Sequence, residues 1–171
     1  VVGLGMGGDE GQGHQGDFAY AFDMAREAGL RLTTHAGEFG GPQSVREAIN
    51  DLNVERIGHG VRSIEDPDLV KELADRQITL ECCPGSNVAL GLYPDIASHP
   101  IARLRDAGVN VTVSTDDPPF FHVTMRQEYD MLAKAFGWDE NDFRALNKAA
   151  IEAAFCKEDT KTRIKKKLET A

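Results

Sequence analysis

The strongest constraint on the fold of this chain is the regular alternation of short apolar segments with longer amphipathic segments. In the longer segments, apolar residues recur every three or four positions, as they do along one face of a helix. Because the strand-helix unit repeats roughly every 25–30 residues, we predict parallel strands joined by crossover helices. The predicted strands are residues 1–6, 30–34, 56–58, 78–82 and 109–115, and the helices between them are residues 17–29, 42–52, 65–77 and 99–108.

Residues capable of chemistry follow all five predicted strands, and their distribution distinguishes between two architectures. In chain order they are Gly8-Asp9, His35 to Glu38, His59, Cys83 to Asn87 and Asp116-Asp117. An open doubly wound sheet collects its ligand groups at one switch point, whereas a (β/α)8 barrel brings the ends of all its strands to one mouth. We therefore predict an α/β fold, a partial (β/α)8 TIM barrel of about five β-α units.

The rest of the chain predicts three further helices and no second domain. These helices, at residues 124–137, 139–155 and 157–169, are expected to pack outside the barrel. A whole barrel has about 250 residues and eight strands, and Val1 already lies inside a predicted strand. We therefore expect residues 1–171 to be the C-terminal portion of a single barrel domain, with roughly three β-α units upstream.

The composition excludes several classes of partner. A formal net charge of -9 disfavours nucleic acid, whose binding relies on clustered Lys and Arg, and the basic run at residues 165–167 fits a solvated helix face. No apolar run approaches the length that spans a membrane. Three cysteines, two of them adjacent, cannot form a paired disulfide framework, so we expect a reducing, cytoplasmic setting. Nothing in the sequence indicates an oligomeric state.

Histidines and carboxylates lie together at three of these strand ends. His35 is followed closely by Glu38, His59 lies between two glycines that leave its imidazole open to substrate or water, and Asp116 and Asp117 are adjacent. Each feature alone has an ordinary structural explanation, such as a hydrogen-bonded core histidine or a helix N-cap. Together they supply imidazole and carboxylate groups around one mouth, and the adjacent carboxylates require a compensating cation. We therefore predict a metal-dependent hydrolase.

The opening segment "VVGLGMGG" has the glycine spacing of a dinucleotide-binding turn. That motif requires a helix directly after its last glycine, Gly8, and an acidic residue at the end of the next strand, about 20 residues later. Here "DEGQGHQGD" prolongs the loop, and the next strand ends in His35, 27 positions after Gly8. A nucleotide-binding module is therefore one alternative to an enzyme, and a non-catalytic barrel fragment is the other.

The segments "GGDE", "THAGE", "ERIGHG" and "STDDP", in this order and spacing, resemble the adenosine deaminase family over essentially all of the chain. The resemblance implies a (β/α)8 barrel of the amidohydrolase superfamily with one zinc ion at its mouth. It also implies an enzyme of purine salvage that removes the 6-amino group of an adenine ring by hydrolysis. The partner would be a small purine nucleoside or base.

The resemblance also implies a set of zinc ligands. His35 and Asp116 resemble two of them, whereas the family takes two more from a His-x-His pair that this chain lacks. We expect those two ligands upstream, and we expect the isolated chain to have little or no activity. The remaining histidines, which we interpret as structural or surface residues, are His14, His99 and His122.

Four further residues resemble the family's catalytic and substrate-binding groups. Glu38 matches the acid that protonates the purine ring nitrogen beside the attacked carbon, and His59 matches the residue that orients the attacking hydroxide. Asp117 matches the partner of the five-membered-ring nitrogen, and Gly8 the glycine whose backbone meets the purine.

Two motifs indicate different substrates. "GGDE" resembles enzymes that convert adenosine, and by extension deoxyadenosine, to inosine and ammonia, whereas "CCPGSN" resembles the adenine deaminase branch. We give more weight to the purine-facing glycine and predict adenosine, with adenine or another aminopurine as the alternative. For Cys82, Cys83 and Ser86, packing and turn formation are the favoured interpretation, since no local motif supplies a base for a nucleophile.

Overall fold

A computed structural model describes residues 1–170 and contains one five-stranded parallel sheet. Its strands are β1 (Gly3–Met6), β2 (Arg31–Ala36), β3 (Arg56–His59), β4 (Thr79–Cys82) and β5 (Asn110–Val113). They lie in the order β1-β2-β3-β4-β5, and each neighbouring pair is parallel. Consecutive strands are neighbours throughout residues 1–170, without the order reversal of a doubly wound sheet. The predicted α/β fold, a partial (β/α)8 barrel, is confirmed.

The helices that follow the strands agree with the predicted pattern, with two additions. Residues 84–89 form a short helix where the sequence predicts a turn, and residues 118–121 form another where Pro118-Pro119 is wrongly predicted to leave the strand in an extended conformation. Both begin with proline, whose fixed φ suits the first position of a helix, and both are too short to show helical periodicity. The helices are α1 (Ala19–Glu27), α2 (Pro42–Asn50), α3 (Pro67–Asp75), α4 (Pro84–Ala89), α5 (Ile101–Asp106), α6 (Pro118–Phe121), α7 (Met125–Phe136), α8 (Glu140–Ala153) and α9 (Glu158–Thr170).

The hydrophobic core lies between the sheet and its crossover helices. In β2, Leu32 and Ala36 are buried, and α2 buries Val45 and Ile49 in the same core. Because side chains alternate along a strand, His35 belongs to the other face of β2 and remains exposed. The buried residues on one face of β2 therefore hold the strand in place, and His35 projects from its other face.

The segment that follows α8 lies against one end of the sheet. Phe155, just after α8, lies at the amino-terminal ends of the first three strands. Its ring contacts the position of Gly3 in β1, and the guanidinium carbons of Arg31 and Arg56 lie 4.8 and 3.7 Å from its centroid. Arg56 also donates a hydrogen bond to the carbonyl of Ala153, at 3.3 Å. The end of α8 therefore covers the amino-terminal end of the sheet, on the side opposite the strand-end residues.

Within residues 1–170, none of the helices combines the length and apolar composition that crossing a bilayer requires.

Candidate active site

The residues predicted to carry chemistry lie at the carboxyl ends of the strands. His35 lies in β2, His59 ends β3, and Asp116 follows β5. The rings of His35 and His59 meet edge to face, with centroids 4.9 Å apart. One ligand atom from each of His59, Cys83 and Asp116 lies within 4.8 Å of the other two. We call these three residues the strand-end cluster; His35 lies in the same cleft.

The glycines on either side of His59 make room for neighbouring side chains. A Cβ at Gly58 would lie 2.4 Å from Cδ2 of His35, and a Cβ at Gly60 would lie 2.5 Å from Cδ2 of Leu80. The glycines do not leave His59 open to water, since it is only 2% exposed, but it lines a cleft with His35 and Asp116, so that a contact with substrate stays a prediction. Gly58 allows the ring of His35 to lie against β3, and Gly60 makes room for the side chain of Leu80.

Two residues of the cluster adopt a backbone conformation that is uncommon outside glycine. His59 has a φ of 64° and Asp116 a φ of 58°. Such conformations persist where the surrounding structure holds them, and they are concentrated at functional sites. Because the chain turns at Asp116, the side chains of Asp116 and Asp117 are not bound by the strict alternation of a strand.

Glu38 is a largely buried carboxyl group beside His59. Its Oε2 lies 3.4 Å from Nε2 of His59, and the side chain is 12% exposed. Burial, reinforced by the negative charge of Asp116, raises the pKa of Glu38 to about 7. Burial and the neighbouring His35 lower the pKa of His59 to about 4, so its imidazole is neutral at physiological pH. Glu38 can therefore hold a proton near neutral pH, as a general acid requires.

Helix α4 contributes two contacts that the sequence did not predict. Ser86 donates a hydrogen bond from Oγ to Oδ2 of Asp116 at 2.7 Å, so its role exceeds the predicted turn formation. Asn87 donates from Nδ2 to Oε1 of Glu38 at 3.0 Å. The proline-initiated segment "PGSN" was the available signal, because it places two adjacent polar side chains in the first turn of a helix.

The loop after β2 is held by Glu10, a third residue whose contacts the sequence did not predict. The Glu10 carboxylate accepts backbone hydrogen bonds from Glu38 at 3.1 Å and Phe39 at 2.7 Å, and another from Gly40. Glu10 belongs to the segment "GGDE", in which the sequence predicts a role only for Gly8. The motif therefore also organises the segment that carries Glu38.

The two adjacent cysteines are buried thiols. Burial raises the pKa of Cys82 to about 12, and burial together with Asp116 also raises that of Cys83. A thiol with a raised pKa is a poor nucleophile, because the thiolate is the reactive form. Their chemistry therefore gives no support to a nucleophilic role.

Gly8 and Asp117 are both accessible. Gly8 has a φ of 150°, has no atom within 4 Å of a Cβ built on it, and lines a cleft with His35. Asp117 is exposed at the first turn of α6, where its side chain makes no capping hydrogen bond. The backbone of Gly8 and the carboxylate of Asp117 are thus available to a ligand. That the first meets the purine and the second its five-membered ring stays a prediction.

The donor groups at the strand ends fit a zinc ion. Imidazole and carboxylate are ordinary zinc ligands, and His59 has a buried Nδ1 without a hydrogen-bond partner in residues 1–170. A catalytic zinc ion usually takes three protein ligands. His35 and Asp116 alone fall short of that number, so a site built on them needs a further ligand.

Sequence and structure comparisons agree with this geometry. Residues 1–171 match the family described as adenosine deaminase. This chain belongs to the adenosine deaminase family. An adenine deaminase from Rhizobium leguminosarum bv. trifolii (strain WSM2304) is 53% identical to it over 161 residues, which make up 94% of this chain and 50% of that protein. The chain therefore spans about half the length of the curated relatives it matches.

Solved structures of deaminases and of an amidohydrolase superpose on nearly the whole chain. The crystal structure of adenine deaminase from Arthrobacter aurescens has a TM-score of 0.95 at 32% identity, covering 99% of this chain and 52% of that one. An amidohydrolase from Burkhoderia ambifaria with bound Zn has a TM-score of 0.90 at 30% identity and covers 99% and 48%. The apo N6-methyl-AMP deaminase from Arabidopsis thaliana gives 0.89 at 28% and covers 100% and 50%.

The names of these relatives bear on the two motifs that indicated different substrates. Adenine deaminases recur among the sequence relatives, at 49–53% identity. The alternative drawn from "CCPGSN" therefore agrees with the family members better than the adenosine prediction drawn from "GGDE".

Proposed function

We propose that the protein hydrolytically deaminates adenine to hypoxanthine and ammonia, using one zinc ion. The observation that carries the proposal is the buried Glu38 carboxyl group, which lies 3.4 Å from His59 and accepts a hydrogen bond from Asn87. His35 and Asp116 are the proposed zinc ligands in this chain. The proposal is supported by adenine deaminases that are 53% and 52% identical to the chain.

In the proposed reaction, water replaces the 6-amino group of the purine. A bound zinc ion would lower the pKa of a water molecule toward neutrality and so supply a nucleophile at physiological pH. Glu38, whose pKa is raised to about 7, donates a proton to the ring nitrogen beside C6 and makes that carbon more electrophilic. The neutral His59 orients the nucleophile. A C–O bond forms at C6 and the C–N bond breaks. The amino group takes one proton of the water and leaves as ammonia, and the second proton of the water restores the acid form of Glu38.

We infer an uncharged purine, in preference to a nucleotide, from the charges along the cleft that Gly8 and His35 line. Among its described lining residues, Asp9, Glu10 and Glu47 are acidic, and none is Lys or Arg. A phosphate group is repelled by such a cleft, since recognition of phosphate normally requires cationic side chains or free backbone amides. The backbone amides of Glu38 and Phe39 already donate hydrogen bonds to Glu10.

The substrate proposal is tested by measuring ammonia release from adenine, adenosine and AMP with the full-length, zinc-loaded protein. We expect the highest kcat/KM for adenine and the lowest for AMP. A preference for adenosine would restore the prediction from "GGDE" and refute the adenine proposal. Efficient turnover of AMP would contradict the charge argument.

We further propose that the remaining zinc ligands are two histidines outside residues 1–171. The proposal is supported by the resemblance to the family, which assigns only two ligands, His35 and Asp116, to this chain, whereas a catalytic zinc ion usually takes three from protein. The chain alone should take up little zinc, and the chain joined to an upstream segment with a strand ending in His-x-His should take up about one zinc ion per molecule. No uptake in the joined protein would favour a non-catalytic barrel fragment.

The three free cysteines, Cys82, Cys83 and Cys156, support a reducing, cytoplasmic setting.

A further inference from the structure

His99 is a buried histidine outside the proposed zinc and substrate contacts. It lies between α4 and α5, is 1% exposed, and its ring packs edge-on against Tyr93 with centroids 5.0 Å apart. The sequence predicted only a structural or surface role for it. The other two histidines with that predicted role, His14 and His122, are both exposed, as a surface role requires.

The hydrogen bonds of His99 define which of its nitrogens carries the proton. The backbone N–H of Ile101 donates to Nδ1 of His99 at 3.2 Å, so Nδ1 must be unprotonated. In a neutral imidazole the proton then lies on Nε2, which is 3.1 Å from Oδ1 of Asn87. Burial lowers the pKa of His99 to about 3, which keeps this neutral form in place.

The proton on His99 in turn orients the amide of Asn87. Because Oδ1 accepts from His99, the amide nitrogen faces Glu38 and donates to its Oε1 at 3.0 Å. Asn87 is fully buried, so solvent cannot replace either hydrogen bond. The carbonyl oxygen of a protonated carboxyl group is a better acceptor than its hydroxyl oxygen, so the hydrogen bond from Asn87 to Oε1 favours an acidic proton on Oε2 of Glu38.

We propose that His99 is a positioning residue, which acts through Asn87 to fix the orientation of the Glu38 carboxyl group and to keep its transferable proton on Oε2. This inference rests on the proposed function in that Glu38 is taken as the proton donor. A phenylalanine at position 99 would fill much the same space, but it would leave Oδ1 of Asn87 without a donor. The amide would then be free to rotate and present its oxygen to Glu38.

The first test needs neither turnover nor a variant. In the full-length, metal-free protein labelled with 15N-histidine, NMR should identify His99 as the Nε2–H tautomer, with no change of protonation between about pH 5 and 8. A proton on Nδ1, or titration of His99 within that range, would overturn the inference. This result is independent of whether the protein deaminates adenine.

The second test compares variants of the zinc-loaded protein. We expect His99→Phe to lower kcat for adenine by about ten- to a hundredfold with KM changed less than about twofold, since it disturbs the alignment of the acid and not substrate binding. His99→Gln, whose side-chain amide can donate to Asn87, should recover part of that loss. Leu104→Val, which trims a buried side chain of α5, is the packing control.

The outcomes of this comparison are distinct. Equal kcat values for His99→Phe and Leu104→Val would refute the positioning role, and so would a loss that His99→Gln does not lessen. If His99→Phe does not fold, Asn87→Ser takes its place. It removes the amide that links His99 to Glu38, and it should show the same fall in kcat. A wild-type protein that releases no ammonia from adenine would refute the proposed function, while the NMR result would still decide the hydrogen bonds of His99.

Discussion

At the scale of single residues, Gly58 determines where the imidazole of His35 can lie. A Cβ at this position would lie 2.4 Å from Cδ2 of His35 and 3.0 Å from its Nε2, closer than a methyl group and a ring can approach. The backbone of β3 therefore shapes a proposed zinc ligand of β2. Gly58 therefore matters because the ring of His35 occupies the space that a side chain at position 58 would need.

Gly58→Ala is expected to displace the ring of His35 and weaken zinc binding. The loss should be about ten- to a hundredfold in affinity, as for other changes that disturb the orientation of a metal ligand. It can be measured in the full-length protein by competition with a chromophoric chelator. Gly41→Ala is the matched control, because a Cβ there meets no atom within 4 Å. Equal affinities in the two variants would contradict this account of Gly58.

Glu38→Gln separates metal binding from proton transfer. The amide keeps the size of the carboxyl group but cannot donate its acidic proton, so we expect unchanged zinc content and loss of nearly all turnover. Zinc by atomic absorption and ammonia release from adenine report the two quantities separately. Retained turnover would remove Glu38 from its proposed role.

At the scale of elements, the short helix α4 connects the outer layer to the site. It carries Ser86 and Asn87, which contact Asp116 and Glu38. Glu128 of α7, which is fully buried, accepts the backbone N–H of Gly85 with its two carboxylate oxygens at 3.1 and 3.2 Å. The position of α4 therefore depends on a buried carboxyl group of a helix that is distant in sequence.

Glu128 should make stability depend on pH. Burial raises its pKa from 4.5 to about 7, so the native protein holds a proton that the unfolded chain releases. This contribution to the free energy of unfolding is complete below about pH 4.5 and is lost as the pH rises through about 7. Glu128→Gln cannot titrate and should lack it.

Denaturant unfolding of wild type and Glu128→Gln across pH 4 to 8 measures this effect. The wild type should lose up to about 3 kcal/mol relative to the variant between pH 4.5 and 7. Parallel curves over this range would show that Glu128 is not shifted in the native state.

The sequence predicted the five strands and the residues at their ends, because strand periodicity and isolated polar residues are local signals. It did not predict α4, whose six residues span too few turns for a periodic pattern. The contact between His99 and Asn87 was also missed, because it depends on the path of the chain between α4 and α5. The site was therefore predictable as a set of residue types, whereas the contacts that orient Glu38 required the fold.

At the scale of the whole molecule, the carboxyl and amino-terminal ends of the strands have different roles. The carboxyl ends carry the proposed chemistry, while Phe155 covers the amino-terminal ends through its contacts with Gly3, Arg31 and Arg56. In (β/α)8 enzymes, residues at this second end serve stability. Changes there should affect unfolding without affecting the site.

Phe155→Ala is expected to lower the free energy of unfolding by about 2 kcal/mol, less than for a fully buried phenylalanine because the ring is half-buried. Phe120→Ala, which removes a ring that is 78% exposed, should change it by less than about 0.5 kcal/mol. Equal effects of the two substitutions would contradict the role assigned to Phe155.

The central claim is that this chain supplies part of a zinc-dependent purine deaminase site through His35. It is tested most directly by measuring ammonia release from adenine by the full-length protein before chelation, after chelation and after zinc is restored. We predict that the wild type loses turnover on chelation and regains it with zinc, whereas His35→Ala does not regain it. Turnover that survives chelation, or recovery in His35→Ala equal to that of the wild type, would contradict the claim.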